Sequence, residues 1–217
     1  MTLDMLDGLD DQNIRFEKIS DNVMVLRKFA LQSEKEIFAG IQQVSAQSDF
    51  RHLITPGGFR MSVGMTNCGA YGWVSDRKGY RYQGVDPLSG VAWPPIPECF
   101  LKLAIGAASE AGFKNFIPDA CLLNRYEPGT KMTLHQDKDE KDFGAPIVSV
   151  SLGLPAVFLF GGLNRTDKTR RIPLGHGDVV VWGRKERLAY HGVLPLKDGY
   201  HYLFGRYRFN LTFRKAM

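Results

Sequence analysis

From Pro118 onward the chain is a succession of short apolar runs separated by turn residues. ACLLNRYE, KMTLHQD, PIVSVSLG, AVFLFGG, RRIPL, DVVVWG, LAYHG and RYRFNLTFR follow one another at hairpin-like spacing, with no helical pattern between them. About eight such strands predict an antiparallel double sheet or barrel.

The preceding half supplies what such a sheet needs on its outside. Residues 1–20 read as a mobile polar leader, and Asn22 to Phe29 (NVMVLRKF) as a strand. From Leu31 to Gln47, Ile37, Phe38, Ile41 and Val44 recur at helical spacing, and Ser33 is placed to cap the helix start. Residues 52–93 are short aromatic strands broken by Gly and Pro, ending at WPPIP. A second helix is predicted over Glu98–Ala111, with a proline start and a Gly112 stop. The expected fold is mainly β, a jelly-roll (double-stranded β-helix) with two supporting helices. Hydrophobic content of 44% is enough for a sizeable core. The expected division is a leader (1–20), an N-terminal part (21–112) and a jelly-roll core (113–217), in one compact unit.

Charge and cysteines narrow the class of partner and compartment. The net charge is +5, yet the first eleven residues contain Asp4, Asp7, Asp10 and Asp11 and no base, so the remainder is more basic still. A basic body suits a polyanionic partner. Cys68, Cys99 and Cys121 are odd in number and lack CxxC spacing, which argues against disulfide scaffolding and thiolate zinc. No apolar run approaches the roughly 20 residues of a membrane span, and no signal pattern opens the chain. A cytoplasmic, soluble protein without a membrane partner is expected, and nothing demands an oligomer.

MTLHQD alternates. Read as a strand, Thr133, His135 and Asp137 share one face, so an imidazole and a carboxylate stand side by side. His191, in LAYHG, completes two imidazoles and one carboxylate. Such a facial triad leaves open positions and suits non-heme Fe(II), although zinc accepts the same ligands. A second HxD, His176-Gly177-Asp178, is flanked by Gly175 and reads as a turn whose Asp serves the backbone. His52 and His201 have no carboxylate at strand spacing.

In RFNLTFR, Phe209, Leu211 and Phe213 take one face and Arg208, Asn210, Thr212 and Arg214 the other. Two guanidiniums inside a barrel need anionic partners, because unpaired burial is costly. A dicarboxylate would supply them in the bidentate geometry that Arg favours. A solvated edge strand is the plain alternative.

Together HQD (His135 to Asp137), His191, NRY (Asn124 to Tyr126) and RFNLTFR resemble the AlkB family of Fe(II)/2-oxoglutarate dioxygenases. The likeness runs through TPGGFRMSVGMTNCGAYGW, PDACLLNRYEPG, LHQDKDE, PIVSVSLGLPAVFLFGG and HGDVVVWG, most of residues 50–214. The resemblance implies that His135, Asp137 and His191 bind iron. It implies that Arg208 pairs with the distal carboxylate of 2-oxoglutarate, assisted by Tyr126 and Asn210, with Arg214 and Asn124 nearer the chelating end. It makes the aromatic N-terminal part a nucleotide-recognition lid: Trp73 and Tyr80 against the base, Thr55 and Met65 at lid positions, Asp139 accepting from the exocyclic amine, and Arg165 a further substrate contact.

The implied reaction is oxidative demethylation of N-alkylated bases of the 1-methyladenine and 3-methylcytosine type. It consumes O2 and 2-oxoglutarate and releases succinate, CO2 and formaldehyde. The implied partner is alkylated DNA, single-stranded or with the base flipped out, and RNA is a further option. Without the resemblance, Trp73 and Tyr80 read equally as core, Asp139 as a solvated charge and Arg165 as surface. KTRR (Lys168 to Arg171) and Arg184-Lys185 could follow phosphates or guard an edge strand. Two other functions fit a similar chain: a dioxygenase of a protein side chain or small metabolite, and a non-catalytic binding module using the basic surface.

Overall fold

The computed structural model describes residues 16–217. Its elements in chain order begin with β1 (Phe16–Ser20), β2 (Val23–Leu26) and α1 (Glu34–Gln47), which a short 3-10 turn at Leu31–Ser33 precedes. β3 (Gly64–Gly69), β4 (Gly72–Asp76), β5 (Gly79–Gln83) and α2 (Glu98–Glu110) follow. The second half holds β6 (Ala120–Tyr126), β7 (Met132–His135), β8 (Ile147–Gly153), β9 (Ala156–Phe160), β10 (Arg170–Leu174), β11 (Val179–Trp182), β12 (His191–Val193) and β13 (Arg208–Arg214).

All strand pairs are antiparallel. A seven-stranded sheet runs β1-β2-β11-β8-β13-β6-β3, a four-stranded sheet runs β10-β9-β12-β7, and β4-β5 form a separate hairpin. The two large sheets make the jelly-roll. Alternation along the central strands sends side chains to two cores. One core lies between the large sheet and the helices, where Ile37, Ile41 and Val44 of α1 and Phe100, Ala104 and Ala107 of α2 meet Phe209, Leu211 and Phe213 of β13. The other fills the inside of the roll, around Phe158, Phe160, Ile172, Val180 and Trp182.

Several boundaries differ from the sequence expectation. Phe16–Ser20, read as part of a mobile leader, pairs with β2 as the end strand of the large sheet. Its polar FEKIS pattern belongs to a strand that is largely exposed; the rest of the leader, 1–15, lies outside the described residues. The strand expected over Asn22–Phe29 stops at Leu26, and Lys28 turns with a φ of 59°. Ser33 stands at the α1 start without a side-chain cap bond, and Glu34 and Glu36 put negative charge in the first turn instead. α2 ends at Glu110, with Gly112 in the left-handed region just beyond. Within 21–112, β2 and β3 are strands of the large sheet.

Candidate active site

The inward face of β13 fixes one wall. Arg208, Asn210, Thr212 and Arg214 are all buried inside the roll, opposite the phenylalanines that face the helices. Register pairs Arg208 with Tyr126, Asn210 with Asn124 and Arg214 with Ala120 on β6. The facing wall is the pair β7–β12, where His135 and His191 are direct partners and their rings lie 4.3 Å apart. Gly192 permits this approach: a Cβ there would lie 2.7 Å from Met132 O and 3.2 Å from Leu134 N.

Asp137 joins the histidines by a route the alternation argument did not contain. β7 ends at His135, so Asp137 lies beyond the strand. Tertiary bonds hold it there. Arg187 Nη1 donates to the Asp137 carbonyl at 2.8 Å, and Arg214 donates to Asp137 Oδ2 through Nε at 2.8 Å, with Nη2 2.7 Å away. LAYHG likewise shortens to a three-residue strand beginning at His191.

The resulting donor set fits a metal ion. One ligand atom from each of His135, Asp137 and His191 falls within 4.8 Å of the others. Nδ1 of His135 donates to Thr133 O at 2.9 Å and Nδ1 of His191 to Ala189 O at 3.0 Å. Those bonds place the protons on Nδ1 and leave each Nε2 lone pair facing the carboxylate. The Nε2 atoms stand 3.7 and 3.8 Å from Asp137 oxygens, too far for hydrogen bonds and suited to sharing a cation. Burial, with His135 adding to it, pushes His191 down to about 4, which keeps the imidazole neutral at pH 7. Burial alone would raise the Asp137 carboxyl, but Arg214 and the imidazoles outweigh it and hold the group ionised.

A cavity of about 580 Å³ opens over this centre. It is lined by every site residue expected from the sequence except Arg208: Thr55, Met65, Trp73, Tyr80, Asn124, Tyr126, His135, Asp137, Asp139, Arg165, His191, Asn210 and Arg214. Arg208 stands behind that wall, its guanidinium 4.9 Å from the Tyr126 ring. It is 1% exposed and donates Nη2 to Ser151 Oγ at 2.9 Å, while Nε and Nη1 have no partner. Burial pushes this guanidinium below its ordinary pKa, with Tyr126 opposing. Two orphaned donors on a buried cation are the mark of a missing anion.

In the same cavity, Trp73 and Tyr80 stack with ring centroids 5.5 Å apart and planes 12° from parallel. Trp73 Nε1 donates to Asp139 Oδ2 at 2.8 Å, which fixes the indole and carboxylate at one corner. Asn67, buried on β3, binds both backbone polar groups of Trp73 at 3.0 Å and anchors the hairpin to the large sheet.

A buried ionic junction went unread in the sequence. Glu140 accepts from Tyr82 Oη at 2.6 Å and lies 3.3 Å from Arg214 Nε and 3.2 Å from Arg187 Nη2. It ties the β4–β5 hairpin to the two arginines that hold Asp137. DKDE and KERLAY carry no periodic signal that would single out Glu140 or Arg187; only the tertiary pairing does. Tyr190, also missed, lines the cavity with the Arg165 guanidinium 5.9 Å from its ring. The second HxD forms the expected turn, with Asp178 accepting from the amides of Gly175 and Lys28, each at 2.9 Å.

A jelly-roll holding a His–Asp–His cluster and a buried arginine with two unpaired donors fits a non-heme metal oxygenase of the type that uses a dicarboxylate cosubstrate. The model of the 2OG-Fe(II) oxygenase superfamily matches residues 22–214. "Alpha-ketoglutarate-dependent dioxygenase AlkB" of Salmonella typhimurium is 54% identical over 212 residues, covering 98% of each chain. "Nucleic acid dioxygenase ALKBH1" of Mus musculus is 33% identical over 131 residues, 58% of this chain and 33% of that one. The solved structure of OsALKBH1 superposes with a TM-score of 0.80 at 30% identity, covering 93% of this chain and all of that one. The chain therefore belongs to the AlkB family of Fe(II)- and 2-oxoglutarate-dependent dioxygenases. Its cofactor is Fe(II), with 2-oxoglutarate and O2 as cosubstrates.

Proposed function

We propose that this protein oxidatively demethylates N-alkylated bases of the 1-methyladenine and 3-methylcytosine type in DNA, and in RNA, as a direct repair of alkylation damage. One observation carries the reading: a single cavity joins the His135–Asp137–His191 cluster to an aromatic corner that ends in a carboxylate. Methylation at those ring nitrogens makes the base cationic. A π face (Trp73, Tyr80) and an anion (Asp139) are the partners a cationic ring takes. Relatives named for dioxygenase action on nucleic acid support the same substrate class.

His135, Asp137 and His191 would hold the iron, which with 2-oxoglutarate and O2 supplies the oxidant that converts the N-methyl group to formaldehyde. The remaining work is positioning. Arg208, with Tyr126 and Asn210 around it, receives the distal carboxylate, and Arg214 and Asn124 flank the end near the metal cluster. The flipped base enters between Trp73 and His135, with its exocyclic amine toward the Asp139 oxygen that Trp73 leaves free. Thr55, Met65 and Arg165 border the entry and contact the strand that carries the base. Loss of Watson–Crick pairing in these lesions makes the flip cheaper. One chain supplies every residue invoked, so a monomer suffices for this activity. Its free cysteines suit the reducing cytoplasm.

The test is incubation with Fe(II), 2-oxoglutarate, ascorbate and a 1-methyladenine oligonucleotide. Formaldehyde should be released and the oligonucleotide should lose one methyl group by mass spectrometry. Asp137→Ala should abolish both. Succinate production that is independent of nucleic acid, with no oligonucleotide product, would overturn the reading.

A further inference from the structure

The turn between β10 and β11, which holds His176-Gly177-Asp178, grips the strand that borders Arg208. Gly177 N donates to Ser151 O and Ser151 N to Asp178 O, each at 2.8 Å, and Gly153 N donates to His176 Nδ1 at 3.0 Å. Both β8 residues adjoin Arg208: Ser151 Oγ accepts from its Nη2, and Gly153 is its register partner. Gly153 takes a φ of 82°, and a Cβ there would lie 2.4 Å from Tyr207 O. β8 ends at this residue, and its buried amide finds its acceptor in the imidazole.

A backbone amide can only donate, so His176 Nδ1 carries no proton. The ring proton lies on Nε2, which donates to Glu34 Oε2 at 2.9 Å. Burial alone would raise the Glu34 carboxyl, but Tyr202, which donates to Oε1, and His176 outweigh it and hold it below its ordinary value. The loop before β13 covers the ring, with the His201 and Phe204 rings 4.3 and 5.4 Å away. His201 is neutral as well, because its Nδ1 accepts from the amides of Leu203 and Phe204 at 3.2 and 3.4 Å. Burial, with His176 adding to it, pushes His201 below the ordinary imidazole value. On the turn itself, Asp178 is paired with Arg27 at 2.7 Å. An imidazolium at His176 would aim an N–H at the Gly153 N–H, and the contact would open.

We infer that His176 is a positioning residue for the dicarboxylate cosubstrate: as a neutral imidazole it holds the end of β8 beside Arg208, and on protonation it releases that wall. The inference rests on the proposed role of Arg208 as receptor of the distal carboxylate. It adds a pH dependence that arises at that carboxylate and not at the metal cluster.

The test measures the Kd of 2-oxoglutarate and of 2-oxobutanoate on the anaerobic cobalt(II)-loaded protein by calorimetry. The pH runs from about 8 to about 5, the span in which imidazoles titrate. 2-Oxobutanoate keeps the chelating keto acid and lacks the distal carboxylate. The ratio of the two constants therefore reports the Arg208 end, and changes at the metal cluster cancel. A bound form that excludes one proton loses up to about tenfold in affinity per pH unit. The wild-type preference for 2-oxoglutarate should fall by about tenfold or more across the span. His176→Asn puts a carbonyl oxygen near the place of Nδ1 and cannot titrate. It should keep the preference within about threefold at the alkaline end and hold it on acidification. His176→Leu leaves the Gly153 amide without an acceptor and should lose about tenfold at every pH. Arg208→Met should show little preference at any pH. A wild-type preference that ignores pH, or one that declines equally in His176→Asn, would overturn the inference and leave the role of Arg208 intact. A strong preference retained by Arg208→Met would overturn that role, and the action of His176 with it.

Discussion

Replacing Arg208 with methionine should move stability and cosubstrate affinity in opposite directions. In the free protein Arg208 is a buried cation whose Nε and Nη1 have no partner. Each unsatisfied buried donor costs about 1–3 kcal/mol. Methionine fills a similar length and removes both. Set against that gain are the Ser151 bond, worth about 1 kcal/mol, and the contact with the Tyr126 ring, worth about 1–2 kcal/mol. The balance is a stabilisation of about 1–2 kcal/mol, or roughly 2–8 °C in Tm for a chain of this size. Affinity for 2-oxoglutarate should fall, because removing one partner of a buried charge pair costs about 2–5 kcal/mol, roughly 30- to 5,000-fold in Kd. Thermal melts with and without a non-reactive 2-oxoglutarate analogue read both effects. Wild type should gain stability from the analogue, whereas Arg208→Met should start higher and gain nothing. A variant less stable than wild type without the analogue, or one that keeps its affinity within about threefold, would refute the missing-anion argument.

Three further outcomes follow from contacts described above. Tyr82→Phe removes a buried bond to the Glu140 carboxylate; it should cost about 1.5–3 kcal/mol in urea unfolding and raise amide exchange across the β4–β5 hairpin. Gly192→Ala forces a methyl against the β7 backbone, so the protein should lose about 1–3 kcal/mol and its cobalt(II) affinity should weaken in an absorbance titration. Trp73→Phe keeps a stacking face but loses the N–H that orients Asp139. It should raise KM for a methylated oligonucleotide by about tenfold, equivalent to ~1.4 kcal/mol, with kcat nearly unchanged, whereas Trp73→Ala should raise it further.

The parts of the molecule legible in the sequence are those that a strand's period of two dictates. β13 shows this best: its two faces separate in RFNLTFR, and the same separation divides the helix-side core from the cavity wall. The HxD pair was found, but its alternation argument fails in detail, because Asp137 lies past the strand end and is placed by Arg187 and Arg214. Such placement depends on partners 50 and 77 residues away and leaves no local pattern. Glu140 escaped notice for the same reason, since adjacent acids in DKDE look alike until Tyr82 selects one. β3 read only as one of several short aromatic strands, and its place in the large sheet was not legible, because GMTNCG is buried along nearly its whole length and does not alternate.

The two-faced character of β13 limits how the enzyme can vary. An inserted or deleted residue within Arg208–Arg214 would reverse the outlook of every later side chain. It would drive guanidiniums into the phenylalanine layer beneath the helices and aromatic rings into the reaction chamber. Chamber and scaffold would fail together, so this segment can change by exchange of side chains but not of length.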